Sequence, residues 1–131
     1  MSLRDATVGV ETRGPELEGW LAKAAPLMRR GENLPNALER MGRKRASFAA
    51  TRLSWDRPSP TRTKTVGASL VGLVHPDEQR LISKAAASRV SSFPDDFIFP
   101  GKFEDAWALM GNCVPPFFLA SVASVIRGGT R

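Results

Sequence analysis

The sequence contains only one cysteine and one histidine among its 131 residues. A single cysteine excludes a disulfide within the chain and a zinc site built from several cysteines, and it is typical of proteins in a reducing cytosol. A single histidine excludes a metal site built from several histidines. The N-terminus also lacks the charged and then apolar pattern of a secretory signal. We therefore expect a cytoplasmic protein without a metal centre.

The sequence also lacks an uninterrupted apolar run of the ~18 residues that a membrane span requires, so we expect no membrane partner. Hydrophobic residues make up 42% of the chain and charged residues 24%, which is typical of a soluble globular protein. A chain of this length forms one domain or part of one, and it can bury a modest core.

The charge balance is basic, with a formal net charge of +6. A basic excess attracts polyanions, and DNA is the commonest of these in the cytosol. The densest positive run includes Arg43, Lys44 and Arg45. These side chains can contact phosphates because neutralising a nucleic-acid backbone releases counterions. An exposed charged turn is the alternative interpretation, and we weigh the two equally.

Apolar spacing predicts two helices in the first third of the chain, after an irregular lead-in at residues 1–13. The first helix is expected to begin at Pro15, which suits a first helical position, and to end before Gly31. Its apolar residues repeat at helical spacing: Leu17, Leu21, Ala24 and Met28. A second, shorter helix is predicted at residues 33–41.

The middle of the chain predicts strands and loops. Residues 47–55 and 61–66 are rich in β-compatible residues, and a proline-rich break separates them. Residues 67–79 are predicted to form a loop with His75 at its tip. No partner for a catalytic or ligating histidine lies nearby in sequence, so we interpret His75 as a surface residue.

Three helices are predicted in the last third, at residues 84–90, at residues 103–110 and from Pro116 onwards. Ser83 suits the N-cap of the first, and three phenylalanines are expected to anchor the loop at residues 91–101. The final helix carries an apolar stripe that has to lie against an apolar surface: Phe118, Leu119, Val122, Val125 and Ile126.

Three strings after residue 50 are more specific than any of these patterns. Residues 51–61 read Thr-Arg-Leu-Ser-Trp-Asp-Arg-Pro-Ser-Pro-Thr, residues 91–97 read Ser-Ser-Phe-Pro-Asp-Asp-Phe, and residues 110–116 read Met-Gly-Asn-Cys-Val-Pro-Pro. In this order and at this separation they resemble the end of the target recognition region and the last two conserved blocks of the DNA (cytosine-5) methyltransferases. Residues 80–97 match the ninth block, and Arg89 and Val90 take the places of its Arg-Leu pair.

The resemblance implies a fold and a reaction. The family builds its catalytic domain on a Rossmann-like, S-adenosylmethionine-dependent α/β fold, of which this chain would be a C-terminal α+β fragment. Residues 1–79 would be the remnant of the target recognition region with N-terminal helices, and residues 80–131 the helical segment that packs on the catalytic domain. The family transfers a methyl group from S-adenosylmethionine to C5 of cytosine in double-stranded DNA, often within restriction-modification systems.

The resemblance also implies a cofactor wall and DNA contacts. Asn112, Cys113 and Val114 match family residues that touch S-adenosylmethionine, and the side chains suit this role, since an amide can bond a polar group and valine can form an apolar wall. Thr61 matches a threonine beside the DNA backbone near the flipped cytosine, where a hydroxyl can donate to phosphate, and Arg62 follows it. The alternatives are a helix-to-helix corner capped by Asn112 for the first set and a turn for Thr61.

Several expected parts of a methyltransferase are absent from the sequence. The Pro-Cys-Gln loop with the cysteine nucleophile, the Phe-x-Gly-x-Gly cofactor loop and the Glu-Asn-Val segment are not present. Cys113 follows no proline, so we expect it to be a small turn residue, and we predict no catalytic residue. Two further departures are Ala85-Ala86, where the family has Arg-Glu, and Leu109, where it has Gln. We therefore expect the chain alone to be inactive.

Three origins of the chain fit these features: the smaller subunit of a split enzyme, a decayed remnant, or a piece of a longer protein. In the first case a catalytic subunit, or the N-terminal part of such an enzyme, is the expected partner. The alternative function is a non-catalytic DNA-binding or interaction module that kept the basic surface. An unrelated small basic regulator is a weaker third interpretation because it leaves the matched strings unexplained.

Overall fold

The computed structural model describes residues 1–43, 50–61 and 72–129 of the chain. Within these ranges a four-stranded mixed sheet and a set of helices form a small α/β unit. The strands are β1 (Arg13–Glu16), β2 (Thr51–Arg52), β3 (Leu73–Val74) and β4 (Arg80–Ile82). The helices are α1 (Leu3–Ala6), α2 (Gly19–Ala24), α3 (Leu34–Arg40), α4 (Lys84–Val90), α5 (Phe103–Asn112) and α6 (Pro116–Gly129), with a 3₁₀ turn at Ala25–Leu27.

The sheet has the strand order β1-β4-β3-β2. β4 pairs antiparallel with both β1 and β3, whereas β2 and β3 run parallel, with Thr51 opposite Leu73. Gly14 in β1 lies so close to β4 that a Cβ atom built on it would stand 2.3 Å from the carbonyl oxygen of Ile82. Glycine is therefore required there by close backbone approach.

Two apolar clusters lie on the two faces of the sheet. Leu73 belongs to one and its neighbour Val74 to the other, because successive strand residues point to opposite faces. The first cluster joins the sheet to α4 and α5 through the fully buried Trp107. The second lies under α2 and α3. Each of the three matched strings thus contributes a buried side chain to the first cluster: Leu53, Phe93 and Met110.

The expectation of an irregular lead-in is wrong at its start, because α1 is a capped helical turn. Ser2 and Asp5 form a capping box, and Leu3 is buried in the first cluster. The backbone N–H of Leu3 donates to the carbonyl oxygen of Arg57 over 2.9 Å. A single turn is too short to show apolar periodicity, so the sequence pattern missed it.

The helix predicted from Pro15 is also wrong at its beginning. Pro15 lies in β1, and the helix starts only at Gly19. Pairing with β4 holds the segment extended, and the N–H of Leu17 donates to the carbonyl oxygen of Gln79 over 3.1 Å. The apolar repeat comes instead from α2 and the turn after it, where Leu21, Ala24 and Met28 are buried.

Other helices follow the sequence prediction closely. α3 is capped by Asn33 and α4 by Ser83, each through its side-chain oxygen. α5 runs two residues beyond its predicted end, to Asn112. The strand predicted at residues 47–55 is observed only at Thr51–Arg52; residues 44–49 and 62–71, with most of the second predicted strand, lie outside the described part of the chain.

The surface interpretation of His75 is wrong, because the side chain is only 3% exposed. Its Nδ1 atom accepts the backbone N–H groups of Asp77 and Glu78, both over 3.2 Å, and its Nε2 atom lies 3.2 Å from the hydroxyl of Thr12. Two backbone donors at Nδ1 require the neutral ring, and burial accordingly lowers the pKa of His75. His75 is therefore a structural residue that orders the β3–β4 turn.

The last two helices differ sharply in burial. α5 buries Ala106, Trp107 and Met110, whereas the apolar stripe of α6 is exposed, with Phe118 63% and Val125 75% exposed. By length and composition alone, residues 103–128 are sufficient to cross a membrane. Charged residues and prolines interrupt the apolar residues of this segment, so it contains no uninterrupted apolar run. Extended backbone at Cys113 divides it into helices of 10 and 14 residues, each shorter than the ~20 residues of a spanning helix.

Candidate functional site

A cleft of about 290 Å³ lies where the three matched strings meet. Its lining residues come from all three: Ser59, Pro60 and Thr61; Val90, Ser91 and Phe93; and Met110, Gly111, Cys113 and Pro115. Segments far apart in sequence are therefore brought to one place. We call this the three-string cleft.

The first wall of the three-string cleft is anchored by Arg52. This side chain is 5% exposed, and its guanidinium donates to the carbonyl oxygens of Ala25, His75 and Pro76 over 2.9, 3.1 and 3.3 Å. Burial lowers the pKa of Arg52, and its Nε atom is buried without a hydrogen-bond partner in the described residues. Arg52 thus fixes the beginning of the string that ends at Thr61.

Trp55 ties the same string to the β3–β4 turn. Its indole N–H donates to the Asp77 carboxylate over 2.8 Å, which lowers the pKa of Asp77. Arg30 forms an ion pair with the same carboxylate. The indole also meets the ring of His75 edge to face, with centroids 5.4 Å apart. The Arg-Leu-Ser-Trp part of the string is therefore a scaffold.

The second wall is organised by Arg89 and Asp95. The guanidinium of Arg89 bonds both carboxylate oxygens of Asp95, with 2.6 Å between Nη2 and Oδ2, and this pairing lowers the pKa of Asp95. Arg89 also donates to the carbonyl oxygen of Val8 over 3.0 Å. The arginine and aspartate of the ninth-block string thus hold each other, as a structural role for that block requires.

Three phenylalanines anchor the loop, as predicted. The ring centroids of Phe93, Phe97 and Phe99 lie 4.8 to 5.2 Å apart. Phe93 is buried in the first cluster, whereas Phe97 is 49% exposed. The cluster compensates for the lack of regular secondary structure between α4 and α5.

Ser92 joins the second wall to the third. Its φ is +62°, a conformation that non-glycine residues rarely adopt. Its hydroxyl oxygen accepts the backbone N–H of Phe117 in the first turn of α6, over 3.2 Å. Sequence reasoning missed this residue, although a serine just before the Phe-Pro-Asp string was the available signal.

The third wall is the turn from α5 to α6. Buried Trp107 and Met110 hold α5 in the core, and Gly111 and Cys113 line the cleft. Asn112 and Val114 are exposed and do not line it. Of the three predicted cofactor-binding residues, the structure therefore places only Cys113 in the three-string cleft. The cap at the end of α5 is Cys113, not the asparagine of the alternative interpretation.

The exposed residues of this turn fit one wall of a cofactor site. The amide of Asn112 is free to bond a polar group, and Val114, 55% exposed, offers an apolar contact. Such a turn cannot enclose a molecule the size of S-adenosylmethionine, so any site needs further walls. Among the described residues, no group of histidine, cysteine and carboxylate side chains could hold a metal ion.

The predicted DNA contacts are only partly brought together. Thr61 is exposed and lines the three-string cleft, next to the α5–α6 turn. Arg43 is also exposed, but it follows α3 and does not line the cleft. Lys44, Arg45 and Arg62 lie outside the described residues. The structure therefore places Thr61, but not Arg43, beside Cys113 of the predicted cofactor wall.

Comparison with known proteins agrees with the matched strings. The profile of the C-5 cytosine-specific DNA methylase family matches residues 18–128. The chain is 37% identical over 76 residues to the type II methyltransferase M.AgeI of Thalassovita gelatinovora, a match covering 58% of this chain and 18% of that protein. It is 34% identical over 77 residues to M.PspPI of Psychrobacter, covering 59% and 18%.

A plant protein is also similar. DNA (cytosine-5)-methyltransferase 3 of Arabidopsis thaliana is 40% identical over 67 residues, which cover 50% of this chain and 5% of that protein. The chain therefore matches less than a fifth of the length of each of these relatives. Since the family profile covers most of the chain, the chain belongs to the C-5 cytosine-specific DNA methylase family.

Proposed function

We propose that this chain supplies the C-terminal part of a DNA (cytosine-5) methyltransferase and acts in the cytoplasm with a catalytic part from outside these 131 residues. The observation that carries the proposal is the three-string cleft, because it unites the end of the recognition string with the ninth-block and tenth-block strings. Residues that act in one reaction have to lie close together. The three-string cleft brings Thr61 beside Cys113, in the α5–α6 turn that also carries Asn112 and Val114.

The role of the chain in this reaction is to hold and orient the DNA and the cofactor. When bound, S-adenosylmethionine supplies the methyl group. Thr61 donates its hydroxyl to a phosphate oxygen of the DNA, while Asn112 and Val114 contact the cofactor from the α5–α6 turn. Ser92 and Arg89 fix the positions of the cleft walls through their hydrogen bonds to Phe117 and Asp95. Because positioning alone can contribute several kcal/mol to a barrier, such a segment is needed even though it lacks the nucleophile.

The exposed stripe of α6 supports the need for a catalytic part. Phe117, Phe118 and Val125 are between 63% and 75% exposed. A helix that is apolar on most sides is normally buried in a larger protein. We propose that the catalytic part covers it and completes the cofactor site beside Val114.

Complementation in trans tests the proposal. M.AgeI is prepared without the segment that this chain matches, and methyl transfer from labelled S-adenosylmethionine to DNA is measured with and without the chain. We expect no transfer by either piece alone and clear transfer by the mixture. Inactivity of the mixture, together with a failure of the two pieces to associate, would overturn the proposal.

Point variants in the same assay test the roles of single side chains. Thr61→Val removes the hydroxyl but keeps the side-chain shape, so we expect roughly a tenfold loss of transfer, as for one hydrogen bond to a charged group. Thr7→Val is the matched control, because the Thr7 hydroxyl donates to the carbonyl oxygen of Leu3 at the end of α1, away from the three-string cleft. It should leave the transfer rate of the folded mixture unchanged. Cys113→Ser should retain most activity, because the nucleophile comes from the other piece.

The net charge of +6 favours the second candidate, a DNA-binding module without chemistry. That function predicts duplex binding that falls steeply with salt concentration and a mixture that never methylates. Duplex binding by the chain with no stimulation of any catalytic part would favour it.

A further inference from the structure

A second cavity, of about 300 Å³, shares no lining residue with the three-string cleft. It lies between the β1–α2 connection at residues 15–21 and the start of α5 at Phe103 and Glu104, with Leu81 of β4 in its lining. We call it the aromatic cavity. The proposed methyltransferase role makes no use of it.

Part of the wall of the aromatic cavity is apolar. Leu21 and Leu81 are buried, and Phe103 packs against the first core cluster. Trp20, by contrast, is 47% exposed. The face of an indole ring carries partial negative charge, which attracts cations.

Carboxylates provide all the ionisable groups of this lining: Glu16, Glu18 and Glu104. Glu16 forms an ion pair with Arg80 over 3.1 Å. Among the described residues, the carboxylates of Glu18 and Glu104 have no hydrogen bond or ion pair. In a chain with a net charge of +6, this cavity thus has the opposite sign from the molecule as a whole.

We propose that the aromatic cavity binds an arginine side chain of a partner protein. A guanidinium group is planar, stacks on an indole ring and donates in pairs to carboxylates, and the stem of arginine covers apolar surface. A cavity of about 300 Å³ is at the small end of ligand pockets, which suits one side chain. The unpaired carboxylates repel nucleic-acid phosphates, so the partner is a protein and not DNA.

The test is a titration of the full ¹⁵N-labelled chain with acetyl-Gly-Arg-Gly-amide, followed by two-dimensional NMR. We expect saturable shifts of the Trp20 indole signal and of the Glu104 amide. The same peptide with citrulline, which has the shape of arginine but no charge, should bind at least about fivefold more weakly, as for two partly exposed ion pairs.

Variants locate the site. The double variant Glu18→Gln and Glu104→Gln should weaken binding of the arginine peptide by about the same factor. Both residues are exposed, so the variant should keep the fold. Glu39→Gln, an exposed glutamate on α3, is the matched control and should change nothing. Equal binding of the citrulline peptide, absence of saturable shifts at Trp20, or insensitivity to the double variant would overturn the proposal. None of these outcomes depends on methyl transfer.

Discussion

Replacing Arg52 with alanine should destabilise the chain by about 3–4 kcal/mol, and the estimate follows from its contacts. The buried guanidinium makes three well-formed bonds to carbonyl oxygens. At ~1.5 kcal/mol for each bond to a charged group, their loss costs about 4–5 kcal/mol. Removing the buried, unpartnered Nε returns ~1 kcal/mol. The carbonyl oxygens that remain belong to the turn held by Arg52 and to the end of α2, so little else can satisfy them.

Urea unfolding followed by tryptophan fluorescence measures this loss as a shift of midpoint at constant slope. Arg29→Ala is the control, because Arg29 is exposed, and it should change the free energy of unfolding by less than ~0.5 kcal/mol. Arg52→Met fills the volume without donors and should lie close to the alanine variant. If the methionine variant is as stable as the parent, the carbonyl bonds do not contribute as reasoned, since buried ion sites are sometimes replaced by apolar groups at no cost.

Three further predictions concern single side chains. Gly14→Ala should cost at least ~2 kcal/mol, because its Cβ would meet the carbonyl oxygen of Ile82, and equal urea midpoints would refute the close approach. Burial lowers the pKa of His75 in the folded state below the ordinary value of 6.5, so the unfolded state binds more protons between the folded and unfolded pKa values. The contribution of His75 to stability is therefore complete above about pH 6.5 and is lost as the pH falls through the folded pKa. A His75→Asn variant should show a smaller loss of stability between about pH 7.5 and about pH 5. Arg89→Gln removes the ion pair with Asp95, in which the arginine side chain is 27% and the aspartate side chain 62% exposed, so we expect only a small decrease in the urea midpoint. It should reduce methyl transfer in the complemented mixture by a larger factor than the decrease in the folded fraction explains; an unchanged transfer rate would show that Arg89 has no positioning role.

Local features of the fold could be predicted from the sequence with good accuracy. Ser83 caps α4 as the sequence predicts, because a cap is an interaction over three residues. The phenylalanine anchors of the loop after α4 were predicted for the same local reason. Elements that depend on a distant strand could not be predicted in this way. Pro15 is part of β1 only because β4 lies beside it.

The candidate site shows the same division. The three strings and their resemblance to the methylase family are properties of the sequence alone, and the family profile confirms that membership. The tertiary structure decided that Thr61 and Cys113 share a cleft while Asn112 and Val114 face outward, since side-chain direction depends on how α5 ends and α6 begins.

By itself, the sequence determined the family, the Ser83 cap and the apolar stripe of α6, because each is encoded by residues within one segment. Only the tertiary structure decided that His75 is buried, that Arg52 holds the β3–β4 turn and that Trp20 and three glutamates border one cavity. Those facts depend on contacts between residues far apart in the chain. Such contacts arise from packing, which no local pattern of residues records.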